Sequence, residues 1–393
     1  MRPVLLIFPF DLLSHYLRCP QLADAVRDLY DVRFAHSATY VDHVAKAGFE
    51  TFACDCFDAS QVMACSQGFD FGWLNRTNIE RIYSDQVRAI REAGATVVLG
   101  DTAPTLRMAS EMTGARHLSV MNGYMSRHYA LTRPIASAHP AARFADKLPP
   151  AIFDKMTQLG ERAAFRQIHR PFRKLRRQLK LSRTRTYLDE LEGDLNLICV
   201  ALSMFPQKKL PDEYVSIGPF YHVGTEGESD LISGLDNERL TILVTTGSSG
   251  DPQKFGFLRA PGFSEFNIIV AGAPIPALTG DHVISEPFID MESILPEVDV
   301  VVCHGGNGSL VQGLAHGIPV ISVTSIFEQE WNARRAEDLS VGCWLREDVS
   351  EAEAERVVRT WIERKETGRL LEISRQIDLR ETLRNFREVV MRL

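Results

Sequence analysis

The 393-residue sequence predicts an α/β protein with two doubly wound parallel sheets. Three observations carry this: short apolar runs alternate with helical stretches in the first half, a second set of such runs fills the second half, and the run 298–303 passes directly into a glycine-rich turn. Strands buried on both faces read as continuous apolar runs, and β-α alternation is the pattern of a parallel sheet.

In the first half, strands are expected at 4–8, 32–35, 96–99 and 117–120, with helices at 19–29, 79–93 and 104–112. In the second, strands are expected at 195–200, 241–244, 267–270, 298–303 and 320–323. The expected organisation is a first domain at 1–218 with a helical insertion at 140–192, a Gly- and acid-rich linker at 219–236, a second domain at 237–375, and a terminal helix at 376–393. That last helix sets Leu383, Phe386, Val389, Val390 and Leu393 on one face, which needs a partner surface. Two open α/β sheets in one chain place a ligand crevice at the carboxyl ends of their strands.

Composition narrows the function. Hydrophobic residues are 45% and charged residues 24%, enough for a sizeable core, and the net charge of −7 argues against a nucleic-acid partner. No apolar stretch approaches the roughly 18–20 residues that span a bilayer. The opening residues, interrupted by Pro9, suit a first buried strand rather than a leader. Seven scattered cysteines fit a reducing cytoplasm, and Cys54-x-Cys56 lacks a second ligand pair for zinc.

The turn His304-Gly305-Gly306-Asn307-Gly308-Ser309 lies between a strand end and a helix start. There the free N–H groups and the helix dipole favour an anion. A tight βα turn with no ligand is the other reading of the glycines alone. With Gly317-Ile318-Pro319, Glu328-Gln329, Asn332-Ala333 and Gly342, however, the segment resembles the donor-binding signature of the UDP-glycosyltransferase superfamily, of the bacterial natural-product or macrolide type. The resemblance implies a GT-B fold, with two Rossmann-like domains facing across a cleft and the terminal helix returning to the first. It implies an inverting, metal-independent sugar transfer from a UDP- or dTDP-sugar to a hydroxyl of a hydrophobic small molecule or lipid. The nucleotide sugar is a co-substrate, and no cofactor is expected.

Site residues follow by the same resemblance. His15, expected in the loop after the first strand, would be the general base, and Asp101, ending the strand at 96–99, would orient it. Asp101 also suits an N-cap for the helix near Pro104. His304 and Ser309, with the amides of Gly306, Asn307 and Gly308, would hold the diphosphate, and Ser248 would join them. Asn332 would reach a phosphate, and Glu328 and Gln329 would bond sugar hydroxyls. Two positions depart from the family pattern: its ribose-binding Glu falls at Gln312, and its base-stacking Trp falls at Phe288, followed by Ile289. An acceptor pocket is expected at Phe69, Phe71, Trp73, Tyr124, Met125 and the insertion, apolar groups that also suit an ordinary core.

Residues 161–185 hold ten Lys/Arg and one acid over an apolar seam. They suit a solvated basic face, or contact with a membrane surface or acidic acceptor; Pro171 weakens the membrane reading. Two other functions keep the fold: a non-catalytic nucleotide-sugar-binding auxiliary subunit, and a nucleotide-sugar epimerase. A nicotinamide oxidoreductase is disfavoured, because no strand is followed by Gly-x-Gly-x-x-Gly.

Overall fold

The computed structural model describes residues 2–68, 70–224, 230–365 and 367–393. Phe69, expected at the acceptor, and 225–229 of the expected linker lie outside the described residues. The chain divides into two compact units, Met1–Pro219 with Leu379–Leu393, and Phe220–Asp378.

The first unit holds a seven-stranded sheet: β1 (Val4–Pro9), β2 (Asp31–Ala35), β3 (Glu50–Phe52), β4 (Val97–Asp101), β5 (Arg116–Met121), β6 (Leu195–Ile198) and β7 (Tyr214–Ser216), in the order β3-β2-β1-β4-β5-β6-β7. The second holds six: β8 (Thr241–Thr245), β9 (Asn267–Ala271), β10 (Val283–Glu286), β11 (Val300–Cys303), β12 (Val320–Ser322) and β13 (Gly342–Trp344), in the order β10-β9-β8-β11-β12-β13. Every pairing is parallel. All nine expected strands are present, with ends shifted by a few residues. The central ones are apolar and buried on both faces, as in Thr241–Thr245 and Val300–Cys303.

In each sheet the strand order reverses once, between β1 and β4 and between β8 and β11. At such a switch point the connections leave in opposite directions and open a crevice at the carboxyl ends. The register sets Pro9 beside Asp101 and Cys303 beside Thr245, so the residues that follow these pairs occupy the two switch points.

The first helix corrects the sequence reading. It runs Leu13–Asp24, not 19–29, and carries Pro20 inside it. A proline at the second position of a run reads as a helix start, where its missing N–H costs nothing. Here the helix begins a turn and a half earlier despite it.

In the insertion, Pro171 sits in the first turn of helix Arg170–Leu179, and the preceding helix, Pro150–Ile168, ends at His169. His169 and Arg176 are both buried on Glu190, at 2.7 Å each. Burial opposes ionisation of Glu190, but hydrogen bonds from His169 and Arg176 hold its carboxyl below the ordinary value. Part of the basic segment is thus an interior ion-pair network. The terminal helix, Leu379–Val390, is bound to the first unit by Thr382 on the Pro219 carbonyl (2.8 Å), Asn385 on the Ile217 carbonyl (3.1 Å) and Arg387 on Asp28 (2.6 Å).

Candidate active site

At the β1/β4 switch point, His15 lies in the first turn of helix Leu13–Asp24 rather than in a loop. Its Nδ1 is 2.8 Å from Asp101 Oδ2, and Asp101, last residue of β4, is fully buried. Asp101 does not cap a helix: the next one starts at Leu106, with Thr105 before it. The residue after it, Thr102, has φ +57. A β-branched residue rarely adopts this left-handed conformation, and such strain clusters at functional sites.

Arg18, which the sequence reading missed, completes the cluster. It sits one turn after His15, on the same helix face, and its Nε and Nη2 donate to the two oxygens of Asp101. Its Nη1 donates to Asn122 Oδ1 at 3.1 Å, and Asn122 donates to the Tyr124 hydroxyl at 2.6 Å. Burial opposes the charge on Asp101, yet Arg18 and His15 hold its carboxyl well below the carboxylate range. No local pattern advertises Arg18, because its partner is 83 residues away.

The acceptor candidates divide. Tyr124 is fully buried against Phe205, with ring centroids 5.0 Å apart, so it cannot line an open pocket as expected. Trp73 is likewise buried, packed edge-on to Phe57 and Phe10. Phe10 in turn meets the His15 ring at 5.9 Å, so Trp73 acts as backing behind the histidine. Phe71 and Met125 are half-buried at the margin of the same core.

At the β8/β11 switch point of the second unit, the glycine turn leads into helix Asn307–Ala315. Its N-cap is Gly306, with no side-chain cap, so the first-turn N–H groups have no capping acceptor. Gly305 has φ +83, open to glycine at little cost, and a Cβ on Gly306 would lie 2.3 Å from His304 Nε2. His304 is buried, its Nδ1 3.4 Å from the Thr245 carbonyl, and burial holds its imidazole down to about 4, hence neutral at pH 7. Thr246 Oγ1, Asn307 Oδ1 and Ser325 Oγ, at the carboxyl ends of β8, β11 and β12, are buried without a partner. Buried polar atoms are seldom left so, and a polar ligand would satisfy them.

The other donor candidates are placed as follows. Ser248 is exposed in the loop after β8, and Phe288 is 50% exposed, its ring meeting His222 edge-on at 6.4 Å, while Ile289 is buried. Ser309 and Glu328 are half-buried in the first turns of their helices. Gln329 accepts from the amides of Ser325 and Ile326 and donates to Ser249 Oγ, so its side chain is bound up in closing the start of helix Phe327–Asp338. Asn332 is fully buried and donates to the Gly305 carbonyl at 2.9 Å. It shapes the glycine turn from beneath, and its Oδ1 is buried without a partner.

Gln312 is buried too, donating to the His222 carbonyl (2.9 Å) and to Glu292 Oε1 (2.7 Å). Glu292, also missed from sequence, faces His316 at 3.3 Å. Burial raises its carboxyl, but hydrogen bonds from His316 and Gln312 hold it below its ordinary value. Glu292, on the neighbouring helix Met291–Ile294, thus sets a carboxylate beside Gln312.

Comparison with known proteins finds glycosyltransferases similar in sequence and in fold. Residues 275–376 match the family model of the erythromycin biosynthesis protein CIII-like C-terminal domain. The chain is 25% identical over 347 residues to a PGL/p-HBAD biosynthesis glycosyltransferase of Mycobacterium tuberculosis, covering 85% of this chain and 78% of that one. Among solved structures it is similar to the calicheamicin glycosyltransferase (TM-score 0.71, 16% identity, covering 100% of this chain and 98% of that one). It is also similar to the glycosyltransferase VinC in complex with dTDP (TM-score 0.69, 17% identity, covering 100% of both chains). The two parallel-sheet units thus have the GT-B fold of these solved structures, and the chain is similar in sequence to glycosyltransferases of natural-product and lipid biosynthesis.

Proposed function

We propose that the protein transfers a sugar from a UDP- or dTDP-activated donor to a hydroxyl of a hydrophobic small-molecule or lipid acceptor, with inversion and without a metal ion. The observation that carries this reading is the 2.8 Å contact of His15 Nδ1 with the buried Asp101 carboxylate at a switch point. With Nδ1–H given to Asp101, the lone pair of Nε2 is left to take a proton. The acceptor oxygen loses its proton to Nε2 and bonds to the anomeric carbon. The bond from that carbon to the diphosphate oxygen breaks on the opposite face, its electron pair leaving with the phosphate. Asp101 then stabilises the imidazolium.

The uncapped start of helix Asn307–Ala315 supports a diphosphate site, and the charge it offers the leaving group is the role a metal ion fills elsewhere. The exposed Phe288 ring suits a stacked base, and Glu292 with Gln312 suits a ribose diol. The relatives support the donor and acceptor classes: VinC binds dTDP, and the mycobacterial glycosyltransferase serves PGL/p-HBAD biosynthesis.

The test is mass spectrometry of the protein with a panel of nucleotide sugars and hydrophobic acceptors, repeated with His15→Ala and with chelator. Expected are a glycosylated product, loss of transfer by about a hundredfold or more in the variant, and no effect of chelator. Nucleotide affinity in the variant should stay within about threefold, since His15 lies on the unit without the glycine turn. An equal loss of nucleotide affinity removes His15 from the role of base.

A further inference from the structure

The insertion presents an apolar strip to solvent. On helix Pro150–Ile168, Ile152, Met156 and Leu159 are 50%, 55% and 64% exposed. At i, i+4 and i+7 they stack on one face of the helix. Phe144, 41% exposed, lies on the preceding turn Pro140–Lys147, which packs on this helix. Single exposed apolar residues are ordinary, but four large ones on adjoining turns mark an interaction surface.

The charges around the strip identify its partner. By helical periodicity, Lys155, Arg162 and Arg166 fall along one flank of the strip, and all three are exposed. The two acids of the helix, Asp154 and Glu161, fall on the opposite side, where Glu161 is paired with Arg133 at 2.8 Å. The next helix, Arg170–Leu179, exposes Arg170, Arg173, Lys174 and Arg177 as well.

We propose that this face docks on the surface of an anionic lipid bilayer. Apolar side chains flanked by unbalanced cations match the boundary between acyl chains and acidic headgroups, with the helix lying in the plane of the surface. Crossing is not at issue: among the described residues no helix is long and apolar enough. A two-fold contact with a second copy would instead press the same cations against one another. The surface is centred on 144–166, N-terminal of the basic segment singled out in the sequence. Docking does not depend on the chemistry proposed for His15, so the two can fail separately.

The test is co-sedimentation of the full chain with vesicles of phosphatidylcholine alone and of equal phosphatidylcholine and phosphatidylglycerol, at low and high ionic strength. Expected is binding to the anionic vesicles only, weakened by salt. Arg162→Gln/Arg166→Gln should weaken it by roughly twenty-fivefold, since each cation near such a surface contributes about fivefold. Met156→Asp/Leu159→Asp should abolish it, with an unchanged melting temperature because these side chains are exposed. Wild-type protein left in the supernatant, or either variant binding like wild type, overturns the proposal. So does a wild-type dimer in sedimentation velocity that Met156→Asp/Leu159→Asp dissociates without any vesicle binding, which would make the face a self-interface. A variant that raises only the acceptor KM, with wild-type vesicle binding absent, assigns the strip to the acceptor and overturns it equally.

Discussion

Arg18 grips both oxygens of Asp101 while His15 contacts one of them, so a single buried carboxylate serves a guanidinium and an imidazole on one helix face. Removing one member of a buried pair leaves the other uncompensated, at about 3–5 kcal/mol. Arg18→Met and Asp101→Asn should both lower stability by that order in urea unfolding. His15→Ala, which leaves the Arg18–Asp101 pair intact, should cost no more than about 1 kcal/mol. Arg18→Lys should recover part of the loss, because an ammonium replaces the charge but not the fork. Equal stability of all four variants would show that the pair does not hold this corner of the fold together.

The glycine turn separates fold from ligand binding through two neighbouring residues. Gly306→Ala brings a Cβ to 2.3 Å from the buried His304 ring, so the turn must move and nucleotide binding should fall with stability. Gly308→Ala meets no protein atom within 4 Å, so the fold should hold. Its methyl group would stand at the helix start, where the diphosphate is proposed to sit. Calorimetric titration with UDP and dTDP should give weaker binding in both variants, with a lowered melting temperature only in Gly306→Ala. Undiminished affinity in Gly308→Ala would place the nucleotide elsewhere.

Glu292 offers a check on how the nucleotide is read. If its carboxylate and Gln312 hold a ribose diol, Glu292→Gln should weaken UDP by about tenfold, the worth of a hydrogen bond to a charged group. It should weaken 2′-deoxy-UDP far less, since one of the two hydroxyls is already missing. The same loss for both nucleotides would make Glu292 a support for Gln312 and His316 only.

The four strands that the sequence reading missed, β3, β7, β10 and β13, are the four sheet edges. An edge strand is covered on fewer sides and carries mixed residues, as in Glu50-Thr51-Phe52, so it lacks the apolar run that marked the nine expected strands. The turn at Gly305 was legible from its glycines at a strand end, and the pairing of His15 with Asp101 from the family resemblance. Arg18 and Glu292 were not: each gains its meaning from a partner across the fold. Burial was equally hidden, and it turned Tyr124 and Trp73 from candidate lining into backing.

Two buried histidines contribute, beside the buried carboxylates of Asp101 and Glu190, to the loss of stability in acid. His117 in β5 is buried with neither ring nitrogen partnered, and burial, with Arg107 nearby, holds its imidazole down to about 3. The unfolded chain takes up this proton near pH 6.5, the folded chain only near 3. The stability that His117 contributes is therefore complete above about pH 6.5 and is lost as pH falls toward 3, by up to about 1.4 kcal/mol per pH unit. His304 acts in the same sense in the second unit, down to about 4. Glu192, whose carboxyl burial raises, offsets part of the loss in the first unit. In His117→Leu two unpartnered buried nitrogens disappear and no partner is left behind, so stability at pH 7 should be unchanged or higher. Its urea transition between pH 7 and 5 should be flatter for the first unit and unaltered for the second. A slope identical to that of the wild type would mean that His117 takes its proton in the folded protein as readily as in the unfolded chain.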